Sequence, residues 1–309
     1  MDNYIINPCN IYYYIKKFIY LLIIILVISV ILLLLSYLYI KKYYSKYSQL
    51  SEILKDVRGN NKNYMNYGYW VDDTDTLQNA NEKLCDLVFK RGDLLNTKNI
   101  LDVGCGYGEQ DIQWCNKTKA KLTSIDIDED IIDKAKTNIK NNGLSDRINV
   151  LQGNACELQF SDETFERVTS VESAFHYLPR INFLKEAFRV LKKNGKFVIA
   201  DILLSDNNNI SYLNKLYQNA FSNIFNIPND NLITKETFKT QLEDIGFKNV
   251  DILDITSNTF APYYRHFFKN IETKGTLNCI IIKFLDFFIN KLCNGTECFS
   301  YVVVTCDKQ

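Results

Sequence analysis

The chain has 309 residues, 47% of them hydrophobic, and its 36 basic side chains balance its 36 acidic ones. A chain of this length can bury a sizeable core, so we expect one domain of about 200 to 250 residues with an appendage. The zero net charge and the lack of a basic cluster argue against a nucleic-acid partner. Nine cysteines are scattered without CxxC pairs or Cys/His clusters. This pattern is typical of a reduced protein that faces the cytosol, and it predicts neither a disulfide framework nor a metal site.

The longest uncharged segment, residues 18–40, lies near the N-terminus. As a helix it spans about 35 Å, which is enough to cross the hydrocarbon core of a bilayer. Tyrosines flank it and Lys41 and Lys42 follow directly, so we interpret it as a retained anchor rather than a cleaved signal peptide. A buried core helix is the alternative.

The positive charges near this segment predict its orientation. Two lysines precede it, whereas five lysines and arginines follow it by residue 58. The positive-inside rule then places the rest of the chain in the cytosol. We expect a single-pass membrane protein with a short tail over 1–17, a transmembrane helix over 18–40, a tether over 41–62 and a folded domain over 63–309.

From residue 98 onward, strand-like and helical patterns alternate. The runs KNILDV, TSIDI, INVL, RVTSVE and KFVIADIL are separated by amphipathic stretches, which is typical of a parallel sheet covered by helices on both faces. Asp128 is placed to cap one helix, and another over about 180–192 is expected to end at Asn194 and Gly195. Helical patterns over about 209–226, 235–245 and onward to 290 accompany two last strands, NVDILDI and SYVVVTC.

A glycine-rich loop follows the first strand. Gly104, Gly106 and Gly108 have the spacing GxGxG, whereas dinucleotide-binding folds use GxGxxG. A nucleotide-dependent oxidoreductase is therefore a weaker alternative. Asp102, just before the loop, would repel a pyrophosphate and attract an ammonium group. S-adenosylmethionine carries an ammonium group and no phosphate.

On these residues the sequence resembles the class I S-adenosylmethionine-dependent methyltransferases, more narrowly their small-molecule branch of sterol-type and tocopherol-type enzymes. The resemblance covers about residues 64–306. It implies an α/β fold with a Rossmann-like seven-stranded sheet, with helical cap insertions at about 206–234 and 256–297. It also implies S-adenosyl-L-methionine as the cofactor.

The resemblance assigns cofactor-binding roles to particular residues. Asp102 and the three glycines match the loop that holds the methionine part, Asp126 matches the acceptor of the ribose hydroxyls, and Ile127 matches an apolar contact of adenine. Asn154 and Ala155 replace a GDA motif that receives the adenine amino group, which an amide oxygen can also accept.

Glu172 and His176 match an ExxxH motif of the same family. The resemblance assigns Glu172 to the cofactor site, and an unperturbed pKa near about 6.5 suits His176 as a general base. Both residues could instead be polar residues at a loop rim. The tyrosine-rich segment before the domain resembles a lid, in which Tyr67, Tyr69 and Trp70 would close the pocket and face the sulfonium. Core packing of these aromatic residues is the alternative.

These features predict a methyltransferase that acts on a hydrophobic small molecule or lipid at the cytosolic membrane face. The apolar stretch over 259–290 is interrupted by charged residues, which favours an amphipathic cap over a second membrane span. The alternative function is a catalytically inactive binding or scaffold protein with the same fold, tethered to the membrane.

Overall fold

The computed structural model describes residues 62–72, 75–206, 211–273 and 298–309, together with Lys17 and Tyr20. The chain divides into two compact units, Met1–Ile53 and Leu54–Gln309, and the sheet lies in the second. The predicted anchor over 18–40 lies outside the described residues apart from Tyr20, as does the part of the second cap insertion between residues 273 and 298. Within the described ranges, no helix is both long enough and apolar enough to cross a membrane.

Seven strands are described, and they form one sheet in the order β3-β2-β1-β4-β5-β7-β6. They are β1 Asn99–Val103, β2 Lys121–Asp126, β3 Ile148–Gln152, β4 Phe165–Val171, β5 Leu191–Leu204, β6 Lys248–Asp254 and β7 Phe299–Asp307. The seven-stranded α/β fold is thus confirmed. The expectation of a parallel sheet is wrong for β7, which lies between β5 and β6 and pairs antiparallel with both.

Helices cover both faces of the sheet. They are α1 Leu77–Arg91, α2 Glu109–Cys115, α3 Glu129–Asn141, α4 Arg180–Val190, α5 Tyr212–Ile224, α6 Lys235–Ile245 and α7 Phe260–Thr273. The predicted N-cap of α3 is confirmed, because Asp128 accepts a hydrogen bond from the main-chain N–H of Asp130 at 2.9 Å. This bond satisfies one of the donors that a helix start leaves unpaired.

The predicted end of α4 is two residues too late. The helix ends at Val190, and Leu191 already pairs with Phe165 as the first residue of β5. Asn194 has φ of 62° inside this strand, where β5 carries extra residues relative to β4 and the register shifts. Asparagine tolerates this left-handed conformation, so the expected turn occurs as an irregularity within the strand.

Successive strand residues alternate between two cores. Ile100 belongs to the core shared with α1, α2 and α3, while Leu101 belongs to the core shared with α4 and α6. The chain runs from β1 outward to β2 and β3, then returns to β4 on the other side of β1. Ligands of such sheets bind at this switch point, beyond the carboxyl ends of the strands. The predicted site residues that follow β1, β2 and β4 therefore lie at one edge.

Candidate active site

The glycine loop joins the end of β1 to α2. Gly104, Gly106 and Gly108 have φ of 76°, 54° and 75°, a region that side chains with a Cβ rarely enter. The main-chain N–H groups of Gly104 and Cys105 both donate to the carbonyl oxygen of Ile125, at 2.8 and 3.0 Å. The loop is thereby folded over the end of β2.

Packing also requires glycine at position 104. A Cβ placed there would lie 1.9 Å from Ser173 Oγ and 2.5 Å from the hydroxyl oxygen of Tyr177. Those two hydroxyl oxygens are 2.7 Å apart, so the turn after β4 presses directly on the cofactor loop. The sequence does not reveal these two contacts, because no motif relates position 104 to positions 173 and 177.

Asp102 lies beneath this loop rather than in the pocket. It has no exposed surface, and its carboxylate accepts hydrogen bonds from Thr169 Oγ1 at 2.7 Å and Gln110 Nε2 at 3.0 Å. The predicted attraction of the cofactor ammonium by Asp102 stays a prediction. In the structure, Asp102 ties the loop to β4 and α2.

Asp126 lies at the end of β2 with its carboxylate directed along the loop. Its two oxygens accept from the main-chain N–H groups of Gly106 at 3.1 Å and Asp128 at 3.2 Å. A carboxylate offers about four acceptor positions, and a main-chain bond from Ile127 occupies a third, so acceptor capacity remains for a ribose hydroxyl. Burial raises the pKa of Asp126, while the main-chain bonds favour its charged form. Next to it, Ile127 is 69% exposed and offers an apolar surface of the kind that adenine requires.

Asn154 and Ala155 follow β3 at the same edge. The exposed Asn154 accepts through Oδ1 from the main-chain N–H of Cys156 at 2.9 Å, which leaves the oxygen one further acceptor position. Ala155 is buried within the core of the α4 face. Their contacts with adenine stay predictions.

Glu172 joins the lid segment, residues 62–72, to the sheet. It follows β4 with φ of 50°, and its Oε1 accepts from the main-chain N–H of Tyr67 at 2.6 Å and from the hydroxyl group of Tyr301 on β7. These bonds hold the lid segment against the ends of β4 and β7. A contact between Glu172 and the cofactor stays a prediction.

The lid segment passes over the glycine loop, since the Sδ atom of Met65 lies 3.3 Å from a Cβ placed on Gly106. Tyr67 packs edge-on against two aromatic rings of α7, Phe260 and Tyr263, with centroid distances of 5.5 and 4.6 Å. Met65 was not singled out from the sequence, because a single methionine carries no motif. The structure thus brings the predicted lid segment to the loop.

Trp70 and Tyr69 anchor this segment on the outer side. Trp70 is buried, donates from Nε1 to the carbonyl oxygen of Tyr67 at 2.9 Å, and packs against His266. Tyr69 is partly buried against the core, and its main-chain N–H donates to Ala80 of α1. Core packing, the alternative interpretation, describes Trp70. A contact of either ring with the cofactor stays a prediction.

His176 ends a short 3-10 turn, Ala174–His176, between β4 and α4. Burial lowers its pKa to about 4, while hydrogen bonds with main-chain groups of Phe225 and Asn226, just after α5, act in the opposite direction. The ring is therefore neutral at physiological pH, and this is the form that a general base requires.

Comparison with known proteins agrees with this geometry. The family described as a methyltransferase domain matches residues 100–195. Erythromycin 3''-O-methyltransferase from Saccharopolyspora erythraea is 32% identical over 216 residues, which are 69% of this chain and 71% of that protein. The chain belongs to the class I S-adenosylmethionine-dependent methyltransferases.

Two solved structures share the fold of this methyltransferase. The cyclase SpnF is 20% identical with a TM-score of 0.67, over 85% of this chain and 93% of that one. Geranyl diphosphate C-methyltransferase from Streptomyces coelicolor A3(2) is 17% identical with a TM-score of 0.64, over 83% and 93%. It was solved with Mg²⁺, geranyl diphosphate and S-adenosyl-L-homocysteine.

The cofactor of this methyltransferase is S-adenosylmethionine, and the residues present fit it. Asp126 keeps acceptor capacity for the ribose, Ile127 leaves an apolar surface uncovered, and the glycine loop lies between them and the lid segment. In the part of the chain that the structure describes, no group of three or more His, Cys, Asp or Glu is placed to hold a metal.

Proposed function

We propose that this methyltransferase methylates a hydroxyl group of a hydrophobic small molecule or lipid at the cytosolic face of a membrane. The observation that carries the proposal is that both cap insertions and the lid segment contribute aromatic rings to one hydrophobic core. These rings, here called the aromatic cluster, form two sets of contacting rings. One set consists of Tyr67, Phe260, Tyr263, Tyr264 and Phe267, and the other of Tyr217, Phe221, Phe225 and Phe299. The second set adjoins His176 through the main chain of Phe225.

The cluster joins elements that are distant in the chain. Tyr217, Phe221 and Phe225 recur every four residues along α5 and its end, and the ring of Phe221 lies 4.7 Å from that of Phe299 on β7. Four members, Tyr217, Phe225, Tyr264 and Phe267, are only partly buried. Such rings keep surface for a ligand, and an aromatic lining favours an apolar acceptor.

The chemistry required of the protein is modest. The cofactor, when bound, supplies a methyl group on a positively charged sulfur, so the chain mainly has to align the acceptor and exclude water. The lid segment covers the loop at Gly106, and the cap walls off the side of His176. Neutral His176 takes the proton that the acceptor hydroxyl loses.

Oxygen is the favoured acceptor atom for two reasons. The relative from Saccharopolyspora erythraea is named as an O-methyltransferase, and a hydroxyl group benefits from a base such as His176. The hydrophobic nature of the acceptor agrees with the geranyl diphosphate of one structural neighbour, with the sterol-type and tocopherol-type enzymes that the sequence resembles, and with the predicted anchor over 18–40.

The acceptor is tested with the full-length chain and labelled S-adenosylmethionine. The protein is incubated separately with a total lipid extract and with an aqueous metabolite pool, and we expect label in the lipid products. Label only in water-soluble products would reject the lipid acceptor and leave the anchor as a localisation device.

The general base is tested by substitution. His176→Gln should lower turnover by about 100-fold or more with cofactor affinity unchanged. Wild-type turnover in this variant would show that His176 is not the general base.

The pH dependence tests the same assignment. Because burial holds the pKa of His176 at about 4, its neutral form dominates above that value. We expect no loss of kcat attributable to this residue between pH 8 and pH 6, and a loss only as the pH approaches 4. A decline centred near pH 6.5 would contradict the assignment of a lowered pKa to His176.

The cytosolic orientation is tested with glycosylation sites. The sequons at Asn116, Asn209 and Asn294 would be available to the lumenal machinery if the domain faced that side. We expect no glycan on the expressed chain. A mass decrease on endoglycosidase treatment would reverse the topology.

A second candidate is a binding or scaffold protein that keeps the cofactor pocket without turnover. The neighbour SpnF, which has this fold and is named a [4+2]-cyclase, shows that the fold alone does not imply methyl transfer. Calorimetry separates the two, since the scaffold would bind S-adenosylmethionine without forming S-adenosylhomocysteine with any acceptor pool.

A further inference from the structure

A second polar cluster lies beneath the turn that carries His176. It is formed by Arg180, Asp201 and Asn231, which are at most 2% exposed. Arg180 Nη1 and Asp201 Oδ2 form an ion pair at 2.8 Å, and Asp201 Oδ1 accepts from the main-chain N–H of Phe175 at 3.1 Å. Buried ion pairs persist where further hydrogen bonds satisfy their remaining atoms. This one is bonded to the turn itself.

Asn231 belongs to the first cap insertion, in the 3-10 turn Asn229–Asn231. Its Nδ2 donates to the carbonyl oxygens of Phe175 at 2.9 Å and Tyr177 at 2.6 Å. Its Oδ1 accepts from the main-chain N–H of Arg180, and its own carbonyl oxygen accepts from Arg180 Nη2 at 3.0 Å. The side-chain amide of Asn231 therefore holds the main chain by hydrogen bonds on both sides of His176.

The imidazole ring is attached to the same insertion. Main-chain groups of Phe225 and Asn226, six and five residues before Asn231, hydrogen-bond the ring. His176 is thus held at its main chain by one part of the cap and at its ring by another. A shift of Asn231 would move the histidine relative to the aromatic cluster that the cap contributes.

We infer that Asn231 is a positioning residue that sets the place of His176 relative to the cap, and this inference rests on the proposed function. Asn231 is too deeply buried to touch an acceptor, so it acts through the turn. Arg180 and Asp201 hold Asn231 and the turn in register. Nothing in the sequence motifs marks Asn231, because its partners are main-chain atoms about 50 residues earlier.

The experiment compares Asn231→Asp and Asn231→Ala in the full-length chain, with Asn229→Asp as the matched control. The aspartate replaces both donors with an oxygen that repels the carbonyl groups of Phe175 and Tyr177, whereas alanine only removes the bonds. Asn229 is an exposed residue of the same short turn, so its substitution introduces the same charge and leaves the hydrogen bonds of Asn231 in place.

The first measurement is an NMR titration of the histidine rings, with the His176 signal assigned by its loss in His176→Gln. Release of the turn should move the His176 pKa from about 4 toward its ordinary value near 6.5, more in Asn231→Asp than in Asn231→Ala. The second is calorimetry with S-adenosylhomocysteine, whose affinity should change by less than about twofold because Asp126 and the loop are untouched. Asn229→Asp should match the wild type in both.

The third measurement is turnover with the lipid extract, in which kcat should fall about 10- to 100-fold, as expected for a misplaced catalytic group. If the pKa of His176 in the folded Asn231 variants equals that of the wild type, the inference is overturned, whatever their turnover. If the aspartate variant does not fold, the alanine variant decides. If the wild-type chain turns over no acceptor, only the proposed function is contradicted. The titration still shows whether Asn231 positions His176.

Discussion

The cofactor side and the acceptor side of the site are built over very different distances along the chain. On the cofactor side, the bond from Gly106 to Asp126 joins residues 20 apart, and Asn154 caps its own turn. On the acceptor side, the bonds of Glu172 span 105 and 129 residues, and that of Asn258 to Trp70 spans 188. The turns of the cofactor loop are therefore formed largely by local bonds, whereas the lid segment is held by contacts between distant segments.

The largest expected effect is at Gly104, where the two sides touch. In Gly104→Ala the new methyl group meets Ser173 Oγ at 1.9 Å in a backbone with φ of 76°. We expect a loss of about 3 kcal/mol or more of unfolding free energy, from overpacking and left-handed strain together. Cofactor binding should fall below detection, because the loop must move. Denaturation and calorimetry measure the two losses.

The matched control for this substitution is Gly143→Ala. Gly143 also has a positive φ, 70°, but a Cβ placed there meets nothing within 4 Å. We expect it to cost only the strain, about 1–2 kcal/mol, with cofactor affinity unchanged. Equal losses at positions 104 and 143 would show that the turn after β4 does not press on the loop.

The next effect isolates the cofactor side. Asp126→Ala removes the acceptor assigned to the ribose and should weaken S-adenosylhomocysteine binding by about 10- to 100-fold, as expected for one or two hydrogen bonds to a charged group. Asp128→Asn is the control, because asparagine caps a helix as well as aspartate does. Calorimetry should find wild-type affinity in the control, and wild-type affinity in Asp126→Ala would contradict the site.

The difference between the two sides also explains what the sequence could predict. The alternation of strands and helices, the glycine loop after β1 and the cap of α3 at Asp128 follow from local patterns, and the structure confirms them. The ribose contact of Asp126 stays a prediction. Other features depend on which distant segments meet: the antiparallel direction of β7, the contact of Ser173 with Gly104, and the hydrogen bonds of Asn231 with the turn that carries His176. The hydrogen bonds of Asp102 with Thr169 and Gln110 also follow from the tertiary structure rather than from the spacing of the motif.

A smaller effect distinguishes two roles for Glu172. As the latch of the lid segment, it needs only an oxygen that accepts from Tyr67 and Tyr301, and glutamine supplies one. We expect Glu172→Gln to keep kcat/KM within about threefold and Glu172→Ala to lower it by about tenfold or more. If Glu172 instead binds the cofactor as a carboxylate, the glutamine variant should already lose S-adenosylhomocysteine affinity in calorimetry.

The smallest effect lies beneath the cofactor loop, where Asp111 of α2 is wholly buried near Asp102. Its carboxyl group interacts through side-chain hydrogen bonds with Ser124 and with Asp102. Burial, and then the charge of Asp102, raises the pKa of Asp111 well above its ordinary value. The folded protein therefore holds this proton more tightly than the unfolded chain does.

This difference makes stability depend on pH in a direction that can be tested. A raised carboxyl pKa stabilises the fold fully below the unfolded value of about 4, and the contribution is lost as the pH rises through the folded value. Asp111→Asn cannot ionise, so it should escape this loss. Its melting temperature should exceed that of the wild type at pH 8 by about 2–4 °C for each kcal/mol regained, with a smaller difference at pH 5.

Asp133→Asn, on the exposed face of α3, is the control for the removed charge and should show no such pH dependence. A variant at position 111 that melts lower than the wild type at pH 8 would mean that the loop needs a charged Asp111. In that case the charge of Asp111 would stabilise the cofactor loop. The affinity for S-adenosylhomocysteine should then fall together with the melting temperature. If the buried proton is right, the affinity stays constant while only the stability rises, because the loop above Asp102 keeps its hydrogen bonds.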